Sequence, residues 1–64
     1  MLAVFLKEDE TVLFTYPLDN LCLNTNDTIV FQKHTYVITR KEFNVDTHTI
    51  NFFLKLLSRK DETP

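Results

Sequence analysis

The 64-residue chain contains no glycine, and this absence excludes several classes of enzyme. Glycine-rich phosphate-binding loops, the dinucleotide-binding fingerprint and the nucleophile elbow all require glycine at fixed positions. Every turn must also be built without glycine. We therefore expect positive backbone φ angles to fall on Asn and Asp, which tolerate them best among the remaining residues.

Cysteine is almost as scarce, since Cys22 is the only one. A lone cysteine forms no disulfide within the chain and is typical of a reducing compartment, so we expect a cytoplasmic protein. No run of about 20 apolar residues suits a transmembrane helix, and the N-terminus lacks the basic start of a secretory signal. The formal net charge is only −2. Neither a membrane partner nor a dominant electrostatic field is therefore expected.

Apolar residues alternate with polar ones in several stretches, which is the period-two pattern of β-strands. Thr, Val, Ile, Phe and Tyr, which favour a pleated surface, are frequent. The pattern predicts one all-β domain over residues 1–57, mainly antiparallel, followed by a charged and flexible tail over residues 58–64. The predicted strands cover residues 2–7, 11–18, 28–32, 35–43 and 48–57, with turns near residues 8–10, 24–27, 33–34 and 44–47.

The last predicted strand is ambiguous, because its apolar residues also fit a helix. From Ile50 to Leu57 they follow the i, i+3, i+4, i+7 spacing of one helical face. We prefer the strand, because the segment begins with Thr49 and Ile50 and follows a turn that returns the chain antiparallel to residues 35–43. A helix over residues 49–60 is the alternative.

Five short strands joined by tight turns resemble, in general layout, an SH3-like small barrel or a strongly bent sheet. Such a resemblance concerns the fold alone and implies no activity. The apolar face of each predicted strand supplies the expected core. Its candidate residues are Val4, Leu6, Val12, Phe14, Ile29, Phe31, Val37, Ile50, Phe52 and Leu54.

The residues able to support catalysis or metal binding are few and widely spaced. Cys22, His34 and His48 lack the close ligand pairs of zinc sites, so no metal or cofactor is expected. Cys22, flanked by two leucines, is expected to be a small buried hydrophobe and not a nucleophile. The acidic run at residues 8–10 is predicted to be a solvated hairpin loop, unsuited to acid–base chemistry. We therefore expect no enzymatic activity.

The apolar content of the last strand leads to the main functional hypothesis. Both faces of residues 50–57 are largely apolar, and a chain this small readily covers only one of them. The uncovered face is predicted to form an interaction strip at Phe53, Lys55 and Leu57, which binds a second copy of the chain or another protein. The sequence thus predicts a small non-enzymatic protein-interaction or regulatory module, with a homodimer as one form.

A nucleic-acid-binding small barrel is the alternative hypothesis. Basic and aromatic residues occur close together at Lys33, His34, Tyr36 and Arg40, as in barrels that bind single strands through basic grooves and stacking aromatics. Strand alternation places Tyr36 and Arg40 on one face and Lys41 on the other, which divides the basic residues. Nucleic acid is therefore the weaker hypothesis.

Overall fold

Five β-strands make up most of the chain that the computed structural model describes, namely residues 1–19 and 22–59. The all-β prediction is confirmed, and the alternative C-terminal helix, predicted over residues 49–60, is wrong, since a strand occupies residues 49–59. No helix in the described residues is long and apolar enough to cross a membrane. The strands are β1 (Leu2–Lys7), β2 (Val12–Pro17), β3 (Thr28–Phe31), β4 (His34–Asn44) and β5 (Thr49–Arg59).

The strands form one sheet in the order β2-β1-β5-β4-β3, curled into a half-barrel. The sequence-adjacent pairs β1–β2, β3–β4 and β4–β5 are antiparallel, as predicted. β1 and β5 instead pair in parallel, with Leu2 opposite Thr49 and Lys7 opposite Leu54. The sheet is therefore mixed, and its other three pairings are antiparallel, as expected for a mainly antiparallel sheet. The bent-sheet layout is confirmed, while the finer resemblance to SH3-like barrels stays a prediction.

The last strand, β5, ends two residues beyond its predicted end at residue 57. β5 continues through Ser58 and Arg59, which pair with the start of β4. These two residues therefore belong to the sheet and not to the predicted flexible tail. The rest of that tail, residues 60–64, lies outside the described residues.

The core occupies the concave side of the sheet. The Phe5 ring stacks on Phe14 and on Phe52, with ring centroids 4.5 and 5.1 Å apart. Removing side chains of this size from water stabilises the fold by roughly 1.5–3 kcal/mol each. The aromatic stack therefore contributes a substantial part of the stability of this small domain. The buried residues of the core are Ala3, Phe5, Tyr36, Ile38, Phe52 and Leu54.

In β1 and β4, the face that packs against the core is the opposite of the predicted face. Val4 and Val37, which were expected in the core, are only half-buried. Both strands carry apolar residues on both faces, so alternation alone does not indicate which face is buried. The residues that β1 and β4 supply to the core are Ala3, Phe5, Tyr36 and Ile38.

The remaining predicted core residues divide between the two sides of the sheet. The register of β1 and β2 shifts next to Phe5, so Phe14 lies opposite Phe5 inside, whereas Val12 lies opposite Leu6 on the convex side. Val12 is consequently exposed, which corrects its assignment, while Leu6 is buried on that convex side. Phe52 and Leu54 are buried as predicted, and Phe14, Ile29, Phe31 and Ile50 are half-buried against the core.

The turns place positive φ angles mainly on residues that the sequence did not indicate. The β3–β4 hairpin turns at Gln32 and Lys33, one residue earlier than predicted, with φ of 52° and 69°. Two successive positive φ angles give the type I′ twist that a two-residue hairpin requires, whichever residues occupy it. The expectation that Asn and Asp carry such angles is correct only for Asn26. The other described residues with positive φ are Glu10, Gln32, Lys33 and His48.

The two Asn- and Asp-containing turns form as predicted, through side chains that bond the local backbone. Asp27 Oδ2 accepts a hydrogen bond from the Asn24 N–H at 2.8 Å. Asn44 Oδ1 accepts from the N–H groups of Asp46 and Thr47, at 3.0 and 3.2 Å. These bonds satisfy backbone donors that no neighbouring strand reaches.

Candidate functional site

The two edge strands of the half-barrel, β2 and β3, face each other across an open gap. The rings of Phe14 and Phe31 stack across it, with centroids 4.1 Å apart. The backbones do not pair, since β2 bonds only β1 and β3 bonds only β4. With few exceptions the Cα atoms of β2 and β3 are more than 8 Å apart, whereas hydrogen-bonded strands lie roughly 4.8 Å apart. The curl therefore brings the inner side chains together and leaves the strand edges unjoined.

This gap is an apolar cavity of about 580 Å³, which we call the β2–β3 groove. Its volume lies within the range of roughly 300–1,000 Å³ that is usual for ligand sites. None of the described residues that line it carries a charged side chain. Tyr16 stands at its rim with 53% of its surface exposed. The side chains on its inner surface belong to Phe5, Phe14, Tyr16, Leu23, Ile29 and Phe31.

One rim of the groove is the free edge of β2. The Leu18 N–H donates to the Met1 carbonyl at 2.8 Å, so the peptide groups of Leu18 face β1. Residues of an antiparallel strand alternate between facing the partner and facing away, which turns the N–H and C=O of Thr15 into the groove. Pro17 also faces this side and contributes only a carbonyl, because proline has no N–H. A proline, which cannot donate to the hydrogen-bond ladder, is typical of a strand end or an edge strand, and Pro17 is the last residue of edge strand β2.

The opposite rim is the free edge of β3. The Ile38 N–H donates to the Asp27 carbonyl at 2.9 Å, so Asp27 faces β4. By the same alternation the N–H and C=O of Val30 point away from β4 and into the groove. The Val30 side chain is 68% exposed. Unpaired donors and acceptors of two strands thus converge on one apolar cavity.

The predicted interaction strip on β5 is only partly exposed. Phe53 is 6% exposed, because Leu6 lies opposite it and the Arg40 guanidinium lies 4.1 Å from its ring centroid. Leu57, in contrast, is 54% exposed, and Lys55 is exposed as well. The expectation for Phe53 is therefore corrected, and the accessible part of the strip is Lys55 and Leu57. Residues 49–54 of β5 pair on both sides, so this half of the strand is not a sheet edge.

A bulge in β4 explains how Arg40 comes to cover Phe53. Ile38 pairs with Leu54 and Arg40 pairs with Phe53, which leaves Thr39 as an extra residue. The extra residue turns Arg40 to the convex side, whereas simple alternation placed it on the face of Tyr36. The Thr39 hydroxyl donates a hydrogen bond to the Phe53 carbonyl at 3.2 Å, which stabilises the bulge. Arg40 also lies 3.8 Å from the Glu42 carboxylate, an exposed ion pair.

The residues of the predicted nucleic-acid patch do not share one surface. Tyr36 is buried in the core, and half-buried His34 lies beside it, with ring centroids 6.4 Å apart. Lys33 is exposed in the hairpin turn, while Arg40 covers Phe53 on the convex side. Lys41, on the concave side, donates from Nζ to Asn24 Oδ1 at 2.9 Å. The basic groups therefore point in different directions.

Cys22, His34 and His48 belong to no metal-binding group among the described residues. Cys22 is exposed, which corrects the expectation of a buried residue. Its neighbour Leu23 packs against the core instead, so the alternation of this segment places Cys22 outside. His48 meets the edge of the Phe43 ring, with centroids 6.2 Å apart. In the described parts of the chain, no group of three His, Cys, Asp or Glu side chains is arranged to hold a metal ion.

The acidic residues 8–10 form the predicted turn between β1 and β2. The Lys7 N–H donates to the Thr11 carbonyl at 2.8 Å and closes it. Hydrogen bonding from the Thr11 side chain, and then from its backbone N–H, holds the pKa of the Asp9 carboxyl below its ordinary value. A carboxyl with a lowered pKa stays ionised at neutral pH, the opposite of what a general acid needs.

No family model matches this chain, and neither a curated protein nor a solved structure matches it. Sequence reasoning assigned Phe14 and Phe31 to a closed core and did not predict the groove. The available signals were Pro17, which marks an edge strand, and the shortness of the segment that forms β3.

Proposed function

We propose that this chain is a small non-enzymatic protein-interaction module that binds a segment of a partner polypeptide in the β2–β3 groove. The observation that carries the proposal is the convergence of two free strand edges on one uncharged aromatic cavity. Strand edges bind polypeptides through their backbone groups, and pockets beside them select the partner's side chains. The groove offers both features.

The size of the groove favours modest affinity. Burying two apolar partner side chains contributes roughly 3–6 kcal/mol. Association costs several kcal/mol in lost freedom, which backbone hydrogen bonds offset in part. The net binding free energy therefore stays below about 6 kcal/mol, and we expect a dissociation constant weaker than about 40 μM. Such binding suits a reversible regulatory contact.

The accessible part of the strip, Lys55 and Leu57, is a second contact surface in this proposal, for another protein or for a second copy of the chain. The proposed setting is the cytoplasm, where Cys22 stays reduced. Nucleic-acid binding is the alternative function, but Tyr36 of its predicted patch is buried in the core and Arg40 covers Phe53 on the convex side. The groove therefore supports the protein partner better.

A titration followed by ¹H–¹⁵N NMR tests the proposal. The probe is a blocked peptide of sequence Lys-Val-Thr-Val-Thr-Val, which is extended and apolar at alternate positions. Binding in the groove shifts the amide signals of β2 and β3, and Tyr16→Lys weakens it at least tenfold because it places a charge at the apolar rim. The matched control is Phe43→Lys, an equally exposed aromatic residue outside the groove, which leaves the affinity unchanged. Absence of shifts in β2 and β3 with peptide in millimolar excess contradicts the proposal.

A further inference from the structure

We infer that the occupant of the β2–β3 groove is an extended segment of another protein, free on both of its own edges, which inserts as a sixth strand between β2 and β3. This inference rests on the proposed function and adds the mode of binding and the class of partner. Its elements are the spacing of the two edges, their directions, and the way the strands of this chain are already paired.

The spacing suits one inserted strand. A strand bonded on both sides needs roughly 10 Å between the flanking backbones, twice the usual interstrand distance. β2 and β3 are mostly separated by more than 8 Å, and the peptide groups of Thr15 and Val30 face the space between them. Insertion therefore satisfies the unpaired peptide groups of both edges.

The directions of the strands predict how the segment runs. β1, β5 and β3 run one way and β2 runs the other, so β2 and β3 are antiparallel across the groove. An inserted strand is therefore antiparallel to one edge and parallel to the other. Antiparallel pairing is the more stable, and β2 is longer than β3 by two residues. The segment accordingly runs opposite to β2, with its N-terminal end beside the end of β2.

A folded second copy of this chain does not meet the requirement. Each of its five strands already pairs with at least one neighbour, so none of the described strands is free on both edges. Residues 60–64, Lys-Asp-Glu-Thr-Pro, contain no aliphatic or aromatic side chain suited to an aromatic groove. The occupant therefore comes from an unpaired segment of another protein.

The lining determines the side chains of that segment. Alternate residues of an inserted strand point inwards, onto Phe14, Phe31 and Tyr16, so two uncharged apolar side chains at positions i and i+2 are required.

The test compares Thr15→Pro with Thr15→Val, using the same blocked peptide. Both variants lose the threonine hydroxyl, but only proline removes the N–H that faces the groove, and an edge strand tolerates proline there. We expect Thr15→Val to keep the affinity within about twofold and Thr15→Pro to lower it at least tenfold. Peptide binding also slows hydrogen exchange of the Thr15 and Val30 amides. NMR signal dispersion checks that each variant is folded.

If Thr15→Pro fails to fold, the same test is made with the unmodified protein and two peptides. One peptide is N-methylated at its central Val, and the other is the unmethylated peptide. Loss of binding on methylation supports insertion. Equal affinity of both Thr15 variants, with no protection at Val30, overturns strand insertion while the groove remains a peptide site. No binding in the groove by any peptide overturns the proposed function as well. If the protein forms a dimer and Thr15→Pro abolishes that dimer, the occupant is a second copy of the chain. This result would overturn the inference.

Discussion

Replacing Phe53 tests whether the convex side of β5 belongs to the fold or to a partner surface. Its ring is buried between Leu6 and the Arg40 guanidinium. Truncating a buried Phe to Ala costs about 3–5 kcal/mol, and losing the contact with an exposed Arg costs about 0.5–1 kcal/mol more. Because the site lies near the surface and relaxes more easily than the core, we expect about 3–4 kcal/mol for Phe53→Ala.

That cost is large for a domain of this size. At the usual 0.05–0.15 kcal/mol per residue, 64 residues correspond to a free energy of unfolding of about 3–10 kcal/mol. Phe53→Ala is therefore expected to be marginally folded. Phe53→Lys is expected to be unfolded at 25 °C, because it also places an ammonium beside Arg40.

Urea denaturation followed by far-UV circular dichroism measures both variants, with Leu57→Lys as the matched control. Leu57 lies on the same strand and is 54% exposed, so its replacement should change the free energy of unfolding by no more than about 0.5 kcal/mol. A folded Phe53→Lys protein with the denaturation midpoint of the unmodified chain would refute the burial argument. It would also restore Phe53 to the interaction strip.

Two further predictions concern the turns. Replacing Gln32 by Asn and Lys33 by Gly in the β3–β4 hairpin should raise the free energy of unfolding by about 1 kcal/mol, because Asn and Gly adopt positive φ angles at lower cost. An unchanged urea midpoint would contradict this account. The lowered pKa of Asp9 means that its contribution to stability is present above its unfolded pKa near 4 and is lost as the pH falls through the folded pKa. The stability difference between the unmodified chain and Asp9→Asn should thus be constant near neutral pH and shrink below pH 4, whereas a difference that changes between pH 6 and 8 would exclude this origin.

Local sequence was sufficient to predict the strands and most of their turns. Alternation of apolar and polar residues reports the period of a strand directly, and side chains such as Asn44 bond the backbone of their own turn. Pro17 indicated an edge strand for an equally local reason, the missing N–H. These features depend on residues only a few positions apart, so they need no knowledge of the rest of the fold.

Tertiary structure alone decided which faces are buried and which edges are free. β1 is apolar on both sides, and only its parallel pairing with β5 directs Phe5 inwards and Leu6 towards Phe53. The extra residue at Thr39 reverses the direction of Arg40, and a bulge of this kind depends on the partner strand. The β2–β3 groove exists because the curl of the whole sheet brings two edges together. Contacts between residues distant in the chain determine that curl, and these contacts cannot be predicted from the alternation within a single strand.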